Sequence, residues 1–267
     1  MKTLVNKFFI TFLLLTSFST YADHVPGHAK IELGAGLFAL SAPDFIGSAS
    51  NQSQLLPFPY IKYRGERFSI DDGVEARLLK TPDLLLSISG NGSLPSSSGN
   101  AEREGMDKLD ATAEIGPSLE YRLSHNEDSS VWLEIPLRSA FSIGENTGYV
   151  GQVFNPKVAW RRPGHNKYDW KLRLATGLLY SDAKFHSYYY DVTQKDARPD
   201  RPVFTSKKGY TGSRTEFTYS RRFDKLWLGG FVRYDNLSGS VIEDSPLVSV
   251  SSNWTAGLAA AWIFFEK

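Results

Sequence analysis

The chain has 267 residues, 41% of them hydrophobic, a formal net charge of +1 at pH 7 and no cysteine. The balanced charge excludes strong steering toward nucleic acid, and the lack of cysteine excludes disulfides, thiol chemistry and a lipoprotein anchor. The mean hydropathy of −0.29 looks soluble, but it also fits a membrane barrel, in which polar lumen positions alternate with lipid-facing ones.

The first 22 residues have the pattern of a secretory signal peptide. Lys2 and Lys7 give a basic start, residues 8–15 form a short apolar run, and Thr20-Tyr21-Ala22 places small residues at the −1 and −3 positions of a cleavage site. We expect cleavage after Ala22, which leaves residues 23–267 as one exported domain. The apolar run is too short to span a membrane and no later stretch is long enough, so an inner-membrane helical protein is excluded.

The rest of the chain alternates apolar and polar residues with period two, which predicts strands and not helices. The clearest case is 168–180, where Leu172 and Leu174 share an apolar face with aromatic residues at both ends, while Arg173 falls on the other face. Such ends are typical of a strand that crosses a bilayer, because Trp and Tyr settle at the lipid–water boundaries. Strands are predicted at 30–40, 54–64, 66–71, 74–80, 84–92, 109–122, 130–143, 152–162, 168–180, 209–222, 225–237 and 248–265.

Many of these runs exceed the ~5–6 residues of ordinary globular strands, so we predict an all-β fold, a transmembrane antiparallel β-barrel of about twelve strands. A soluble sandwich with one wet face is the alternative. The count depends on 66–80, where the hairpin signal Asp72-Gly73 separates two strands and keeps the long loops on one side of the barrel. Because 66–71 and 74–80 are shorter than the ~9–11 residues of a spanning strand, ten strands is the runner-up. The long loops are predicted at 41–53, 93–108, 181–208 and 238–247.

The predicted inner face of the barrel carries both signs of charge. Opposite charges on neighbouring strands can pair and stiffen the barrel, or they can line a selective pore; the mixture favours pairing, because it gives no clear preference for one ion sign. Gly34 and Gly36 on the first strand are expected to relieve crowding at a bend or to lie under a lumen aromatic ring. The inner-face residues are Asp110, Glu114, Glu120, Arg122, Glu134, Arg138, Lys171, Arg173, Arg214, Glu216, Arg233 and Asp235.

Five short sequences occur in a fixed order between about residues 31 and 265. They are Pro43-Asp44-Phe45-Ile46-Gly47, Leu56-Pro57-Phe58-Pro59-Tyr60-Ile61-Lys62-Tyr63-Arg64-Gly65, the aromatic-to-glycine stretch 68–73, Tyr188-Tyr189-Tyr190-Asp191-Val192-Thr193 and Asp244-Ser245-Pro246-Leu247-Val248. Together they resemble the MipA/OmpV family of outer-membrane proteins, also called MltA-interacting proteins. One departure is Asp191, which stands where glycine is usual in the family.

The resemblance implies a non-enzymatic outer-membrane scaffold. In the family, the named member is thought to bring a membrane-bound lytic transglycosylase together with a peptidoglycan-synthesising penicillin-binding protein. Other members are linked to permeation or adhesion. A small-solute pore or uptake channel, and an outer-surface adhesin or lipopolysaccharide-binding protein, therefore stay open as alternatives.

No catalytic, cofactor-binding or metal-binding pattern is recognised in the sequence, and we predict no enzyme activity and no cofactor. The histidines are scattered over the N-terminal tail, the turns and the long loop, where solvated side chains are expected. The basic part of the longest loop is the one candidate contact site, for lipopolysaccharide phosphates, although Asp196 and Asp200 are interleaved with it and a merely solvated loop is the alternative. The candidate residues are Arg198, Arg201, Lys207 and Lys208, and the histidines are His24, His28, His125, His165 and His186.

Overall fold

The computed structural model describes residues 31–65, 68–70, 74–97 and 99–267. The predicted signal peptide and the predicted Asp72-Gly73 turn lie outside the described residues. In chain order the strands are β1 (Ile31–Pro43), β2 (Asn51–Arg64), β3 (Phe68–Ile70), β4 (Val74–Lys80), β5 (Leu84–Ser93), β6 (Ala111–His125), β7 (Ser130–Ile143), β8 (Gly148–Phe154), β9 (Lys157–Arg162), β10 (Lys171–Ser181), β11 (Gly209–Phe223), β12 (Leu226–Asn236) and β13 (Ser252–Glu266). One helix, α1 (Ala183–Tyr190), lies between β10 and β11.

The strands form one closed antiparallel barrel. Strands that are consecutive in sequence pair with each other, except β8 and β9, and β13 pairs with β1 from Glu32↔Glu266 to Ser41↔Ala256, which closes the sheet. The described residues contain thirteen strand segments, but β8 and β9 occupy one position, because both pair with β7 on one side and with β10 on the other. The barrel therefore has twelve positions, and the predicted fold class and strand count are confirmed.

The prediction of one strand at 152–162 was wrong, because the chain is interrupted at Asn155 and Pro156. Pro156 has no N–H to donate to the ladder at this point, although proline alone does not end a strand here, since Pro57 lies inside β2 and Pro117 inside β6. The break is bridged to β10 instead: the Leu178 N–H donates to the Pro156 carbonyl at 3.0 Å, and Asn155 Nδ2 donates to the Leu178 carbonyl at 2.8 Å. β8 also begins earlier than predicted, at Gly148.

Two other strands start later than predicted. β10 begins at Lys171, because Tyr168 lies in a turn where its N–H is held by Asn166 Oδ1 at 2.9 Å. β13 begins at Ser252, because residues 248–251 belong to a loop. The shortened β10, with 11 residues, matches the ~9–11 residues that a tilted strand needs to cross a bilayer.

The outside of the barrel is apolar at its middle and aromatic at its two ends. Leu174 and Leu178 on β10 are 46% and 43% exposed, whereas Arg173, directly before Leu174, is 3% exposed, so the predicted inside and outside faces are confirmed. A soluble protein has no reason to expose such a belt to water, whereas in a membrane the belt is covered by lipid. The belt includes Leu37, Leu55, Ile115, Leu137, Phe217, Val232 and Leu258, with Phe141, Tyr149, Tyr180 and Trp254 toward the long loops and Tyr121, Phe223, Trp262 and Phe264 toward the short turns.

A loop lid and a charged lumen as the candidate functional site

The long loops fold together over one end of the barrel into a compact cover, here called the loop lid (residues 44–50, 94–97, 99–110, 182–208 and 237–251). Three of its side chains, Leu237, Ile242 and Leu247, are 0% exposed. Burying a side chain of this size contributes about 1.5–3 kcal/mol, so the lid has an apolar core of its own. That core consists of Phe45, Leu109, Tyr189, Tyr190, Val192, Leu237, Ile242 and Leu247.

Two carboxylates tie the separate loops of the lid to one another. Asp44 accepts from Gln52 Nε2 at 2.8 Å, Ser97 Oγ at 2.6 Å and Asn100 Nδ2 at 2.8 Å. Glu102 accepts from the Ala49 N–H, from Ser50 Oγ and from Ser249 Oγ at 2.7, 2.9 and 2.8 Å. Hydrogen bonds to a charged acceptor are stronger than neutral ones, so these two residues fix how three loops meet.

Helix α1 begins where the sequence supplies an N-cap. Asp182 Oδ1 accepts the Phe185 N–H at 2.8 Å, which satisfies one of the free donors of the first turn. The helix then places His186 at 0% exposure, with Nδ1 2.6 Å from the Lys207 carbonyl and Nε2 2.8 Å from Thr211 Oγ1. The expectation that His186 is solvated was therefore wrong, because the loop around it folds back onto β11.

The predicted lipopolysaccharide residues divide into two groups. Arg201 is 6% exposed, and its guanidinium donates to the backbone carbonyls of Asp196, Glu102 and Glu104. Arg198 is more exposed and pairs with the Glu104 carboxylate at 3.1 Å. The structure thus brings the two arginines together against residues 102–104. The two remaining candidates, Lys207 and Lys208, are both exposed just before β11.

Below the lid, salt bridges fill one half of the lumen. Glu134 on β7 is at the centre: its carboxylate contacts Arg161 directly, lies 2.8 Å from Arg173 and lies 3.5 Å from Lys157. Arg161 also reaches Glu120 at 2.6 Å. These side chains come from β6, β7, β9 and β10, so the pairing predicted for the inner face joins strands around the wall. Five further ion pairs continue the network: Arg173 and Lys157 each with Glu216, Arg138 with Glu114, Arg214 with Asp235, and Arg233 with Asp235.

The other half of the lumen is apolar, which the sequence reading missed. The signal was present, because β1, β2 and β13 carry apolar residues on both faces and lose the clean alternation. Gly36 on β1 makes room for this packing: a Cβ there would lie 2.6 Å from a ring carbon of Phe58, so the expected lumen aromatic is found. The apolar half contains Phe38, Leu40, Phe58, Tyr60, Ala259, Ala261 and Ile263, with Trp227 and Phe231 packed against it.

A cavity of about 120 Å³ lies where the lid, the charged half and the apolar half meet, here called the chamber. The apolar wall is formed by Phe38, Leu40, Leu94 and Phe231, and the lid contributes Phe45, Phe185, Tyr189 and Tyr190. The charged wall is formed by Glu114, Arg173, Arg214, Glu216 and Arg233. A small molecule here would contact both kinds of surface at once.

At the end of the barrel opposite the lid, a second group of ion pairs surrounds the lumen. Glu32 on β1 accepts from Arg64 at 2.7 Å and from Arg222 at 3.0 Å. Arg222 also pairs with Glu266 at 2.7 Å, and Glu266 pairs with Lys167 at 2.9 Å. Side chains therefore occupy the lumen at three levels. These are the lid, the ion-pair network around Glu134, here called the middle network, and this turn-end group.

The family model for the MltA-interacting protein MipA matches residues 35–264. No curated protein sequence matches the chain. No helix in the described part of the chain is long and apolar enough to cross a membrane.

Several solved structures are similar to the chain. One is a bacterial polysaccharide outer membrane secretin, with 8% sequence identity, a TM-score of 0.45, and 89% of this chain and 99% of that chain covered. A second is the NanC porin, with 9% identity, a TM-score of 0.36, and 87% and 98% covered. A third is an outer membrane channel from Pseudomonas putida F1, with 12% identity, a TM-score of 0.37, and 92% and 100% covered.

The three TM-scores are below 0.5, so the architecture is established by the strand pairing of this chain and not by these likenesses. The family match spans β1 to β13 and includes both the barrel strands and the loops that form the lid. The chain belongs to the MltA-interacting protein (MipA) family and is an outer-membrane β-barrel protein.

Proposed function

We propose that this protein is a non-enzymatic scaffold that holds peptidoglycan-remodelling enzymes at the outer membrane. Two things support the proposal. The family is named for its interaction with MltA, and the family resemblance implies that MltA is a lytic transglycosylase. The observation that carries it is the occupied lumen: the lid and the buried ion pairs favour a role for the surfaces of the barrel over a role for its interior.

The docking surface in this proposal is the turn end of the barrel. Outer-membrane barrels place short turns in the periplasm and long loops outside, so the turns face the peptidoglycan. The turn end carries exposed charges of both signs, among them Asp83, Asp128 and Lys225. A polar rim of this kind is common where a protein binds a partner transiently. A penicillin-binding protein would join through the same end or through the transglycosylase. Export by residues 1–22, with cleavage after Ala22, is part of the same proposal.

A binding experiment tests the scaffold role. The chain is immobilised in lipid nanodiscs, and soluble forms of a lytic transglycosylase and a penicillin-binding protein are passed over it. We expect saturable binding of the transglycosylase, and no enrichment over an unrelated barrel would contradict the proposal. Glu127→Lys with Asp128→Lys at the turn end should weaken binding. The matched control is Glu243→Lys with Asp244→Lys, an exposed acidic pair on the lid.

A small-solute channel is the second candidate, favoured by the chamber and by the charged wall beneath it. It requires the lid to open, because the lid core packs across the loop end. Planar-bilayer recording separates the two functions. We expect no steady conductance from the purified protein, whereas regular ion-selective openings would favour the channel.

Lipopolysaccharide binding is a third candidate, favoured by the exposed Lys207 and Lys208. Together with the more exposed Arg198 they would contact the phosphates of the outer leaflet, whereas the predicted contact Arg201 is buried against backbone carbonyls of the lid. Lys207→Ala with Lys208→Ala should reduce association with lipopolysaccharide, and Lys195→Ala, an exposed lysine elsewhere in the same loop, serves as the control. Unchanged association in the double variant would remove these two lysines from the proposal. Arg201 is not used for this test, because its removal would release the carbonyls of residues 102 and 104.

A further inference from the structure

We propose that the chamber beneath the lid binds a small organic anion with one carboxylate and an apolar body about the size of a benzene ring. The inference goes beyond the scaffold role and does not depend on it. It stands on unused donors of one buried arginine and on the shape of the cavity.

The middle network has one more cation than carboxylates among its ion pairs, but the buried Asp44, which pairs with no described cation, also lines the chamber. The network's described ion pairs join six cations to five carboxylates. With Asp44 counted the two signs balance, so the preference for an anion rests on the donors that Arg214 leaves free and not on net charge. The cations are Arg138, Lys157, Arg161, Arg173, Arg214 and Arg233, and the carboxylates are Glu114, Glu120, Glu134, Glu216 and Asp235.

Arg214 has donors left over for that anion. Its Nε donates to Asp235 Oδ1 at 2.6 Å, and its two terminal nitrogens make no hydrogen bond among the described residues. The residue is 9% exposed and lines the chamber. Two parallel N–H groups of a guanidinium match the two oxygens of a carboxylate, which a lysine cannot imitate.

The carboxylates on the same wall limit the ligand to a single negative charge. Glu216 is already shared between Lys157 and Arg173, at 3.6 Å from each. Glu114 lies 3.7 Å from Arg138, and its Oε2 has no hydrogen-bond donor among the described residues. A second charge on the ligand would be placed against this oxygen, so a dianion is disfavoured.

The opposite wall sets the apolar part of the ligand. Phe38, Leu40 and Phe231 face the charged wall, and Phe45 and Tyr189 lie above them on the lid. The volume of about 120 Å³ is somewhat below the ~150 Å³ of an engineered apolar cavity that binds benzene. A single ring or a short branched chain therefore fits, and a fatty acid or an oligosaccharide does not.

Calorimetric titration of the full chain in detergent tests the inference with benzoate as the probe. We expect one-to-one saturable binding with a Kd of roughly 1 mM or below for a ligand of this size. Benzyl alcohol, which lacks the charge, and acetate, which lacks the ring, should each bind about tenfold more weakly or worse. No saturation with benzoate, or equal binding of benzyl alcohol, would overturn the inference.

Two variants locate the site. Arg214→Lys keeps the charge but removes the fork, and it should weaken benzoate binding about tenfold. Arg222→Lys is the matched control, because Arg222 is a buried, ion-paired arginine of the same strand that lies at the turn end, outside the chamber. Equal loss in both variants would place the binding elsewhere and contradict the proposal.

Leu40→Phe covers the case in which Arg214→Lys does not fold. It leaves every charge in place and fills the chamber from its apolar wall, so benzoate binding should disappear while the barrel stays folded. Retained binding in this variant would overturn the chamber as the site. Because these measurements use no partner protein, their outcome is separate from that of the scaffold experiment.

Discussion

The hydroxyl of Tyr190, at the end of α1, donates to the backbone carbonyl of Ile46 at 2.9 Å. This bond joins the third long loop to the first across 144 residues of sequence. The ring itself is 2% exposed and packs edge-on against Phe45, with centroids 6.0 Å apart. Lid closure therefore depends on a side chain that is both apolar and a hydrogen-bond donor.

Tyr190→Phe should loosen the lid without unfolding the barrel. The ring stays, but the Ile46 carbonyl loses its donor, at a cost of about 0.5–1.5 kcal/mol. Hydrogen exchange of the amides in 44–50 and 182–208 measures the change in opening free energy. Tyr149→Phe, on the exposed outer face, is the control and should leave the exchange unchanged. Identical exchange in wild type and Tyr190→Phe would show that the bond adds nothing to closure.

Leu174→Arg should destabilise the barrel by about 2–4 kcal/mol, because it places a charge near the middle of the hydrocarbon. Leu174 pairs with Phe217 near the centre of β11, whereas Leu123 lies close to the turn end of β6 and is 50% exposed. Leu123→Arg should cost only about 0–1 kcal/mol, since lipid-face charges are tolerated near the interface. Unfolding by urea in lipid vesicles measures both. Equal costs would mean that the lipid belt has been placed at the wrong height.

Glu134→Gln should be among the most damaging isosteric changes in the lumen. It leaves Arg161, Arg173 and Lys157 without their shared carboxylate, and breaking a buried ion pair in this way costs about 3–5 kcal/mol. Asp128→Asn is the contrasting change, because its pair with His165 is solvent-exposed and is worth about 0–1 kcal/mol. Equilibrium unfolding of the two variants should differ by several kcal/mol, and similar midpoints would argue that the network is dispensable.

Lid stability should fall as the medium becomes acidic. Burial lowers the pKa of His186, although the Lys207 carbonyl and the charges of Asp182 and Asp191 oppose the shift. In the open lid the histidine titrates near its ordinary value of about 6.5, so below that pH the open state binds more protons than the closed state. The stability of closure is therefore fully present above about pH 6.5 and is lost as the pH falls through the lowered pKa.

Hydrogen exchange of the lid between about pH 7.5 and about pH 5, corrected for the intrinsic rate, checks this dependence. His186→Gln should give a lid whose opening free energy changes little over that pH range, since the glutamine side chain does not titrate. His165→Gln, at an exposed position in a turn, should keep the wild-type profile. If the opening free energy of the wild-type lid does not fall as the pH is lowered, the role assigned to His186 is contradicted.

Sequence reasoning predicted the strand segments and their faces because period two is a local property. Every second residue of a membrane-spanning strand faces lipid and is apolar, whichever strands lie beside it. The outward face of Leu174 and the inward face of Arg173 could therefore be assigned from 168–180 alone. It failed locally at Asn155 and Pro156, where the ladder is interrupted between β8 and β9. It also failed for the apolar half of the lumen, since an inward Phe38 looks the same in sequence as a lipid-facing one.

The sequence by itself therefore determined that this chain is a twelve-position membrane barrel with charged residues inside. Only the tertiary structure decided what fills the barrel and what covers it. The lid is held by contacts such as those of Glu102 with Ala49 and Ser249, which are 53 and 147 residues away. The chamber exists because such loops meet above two unlike walls. No local pattern encodes that meeting, because it depends on which strands closure of the barrel brings side by side.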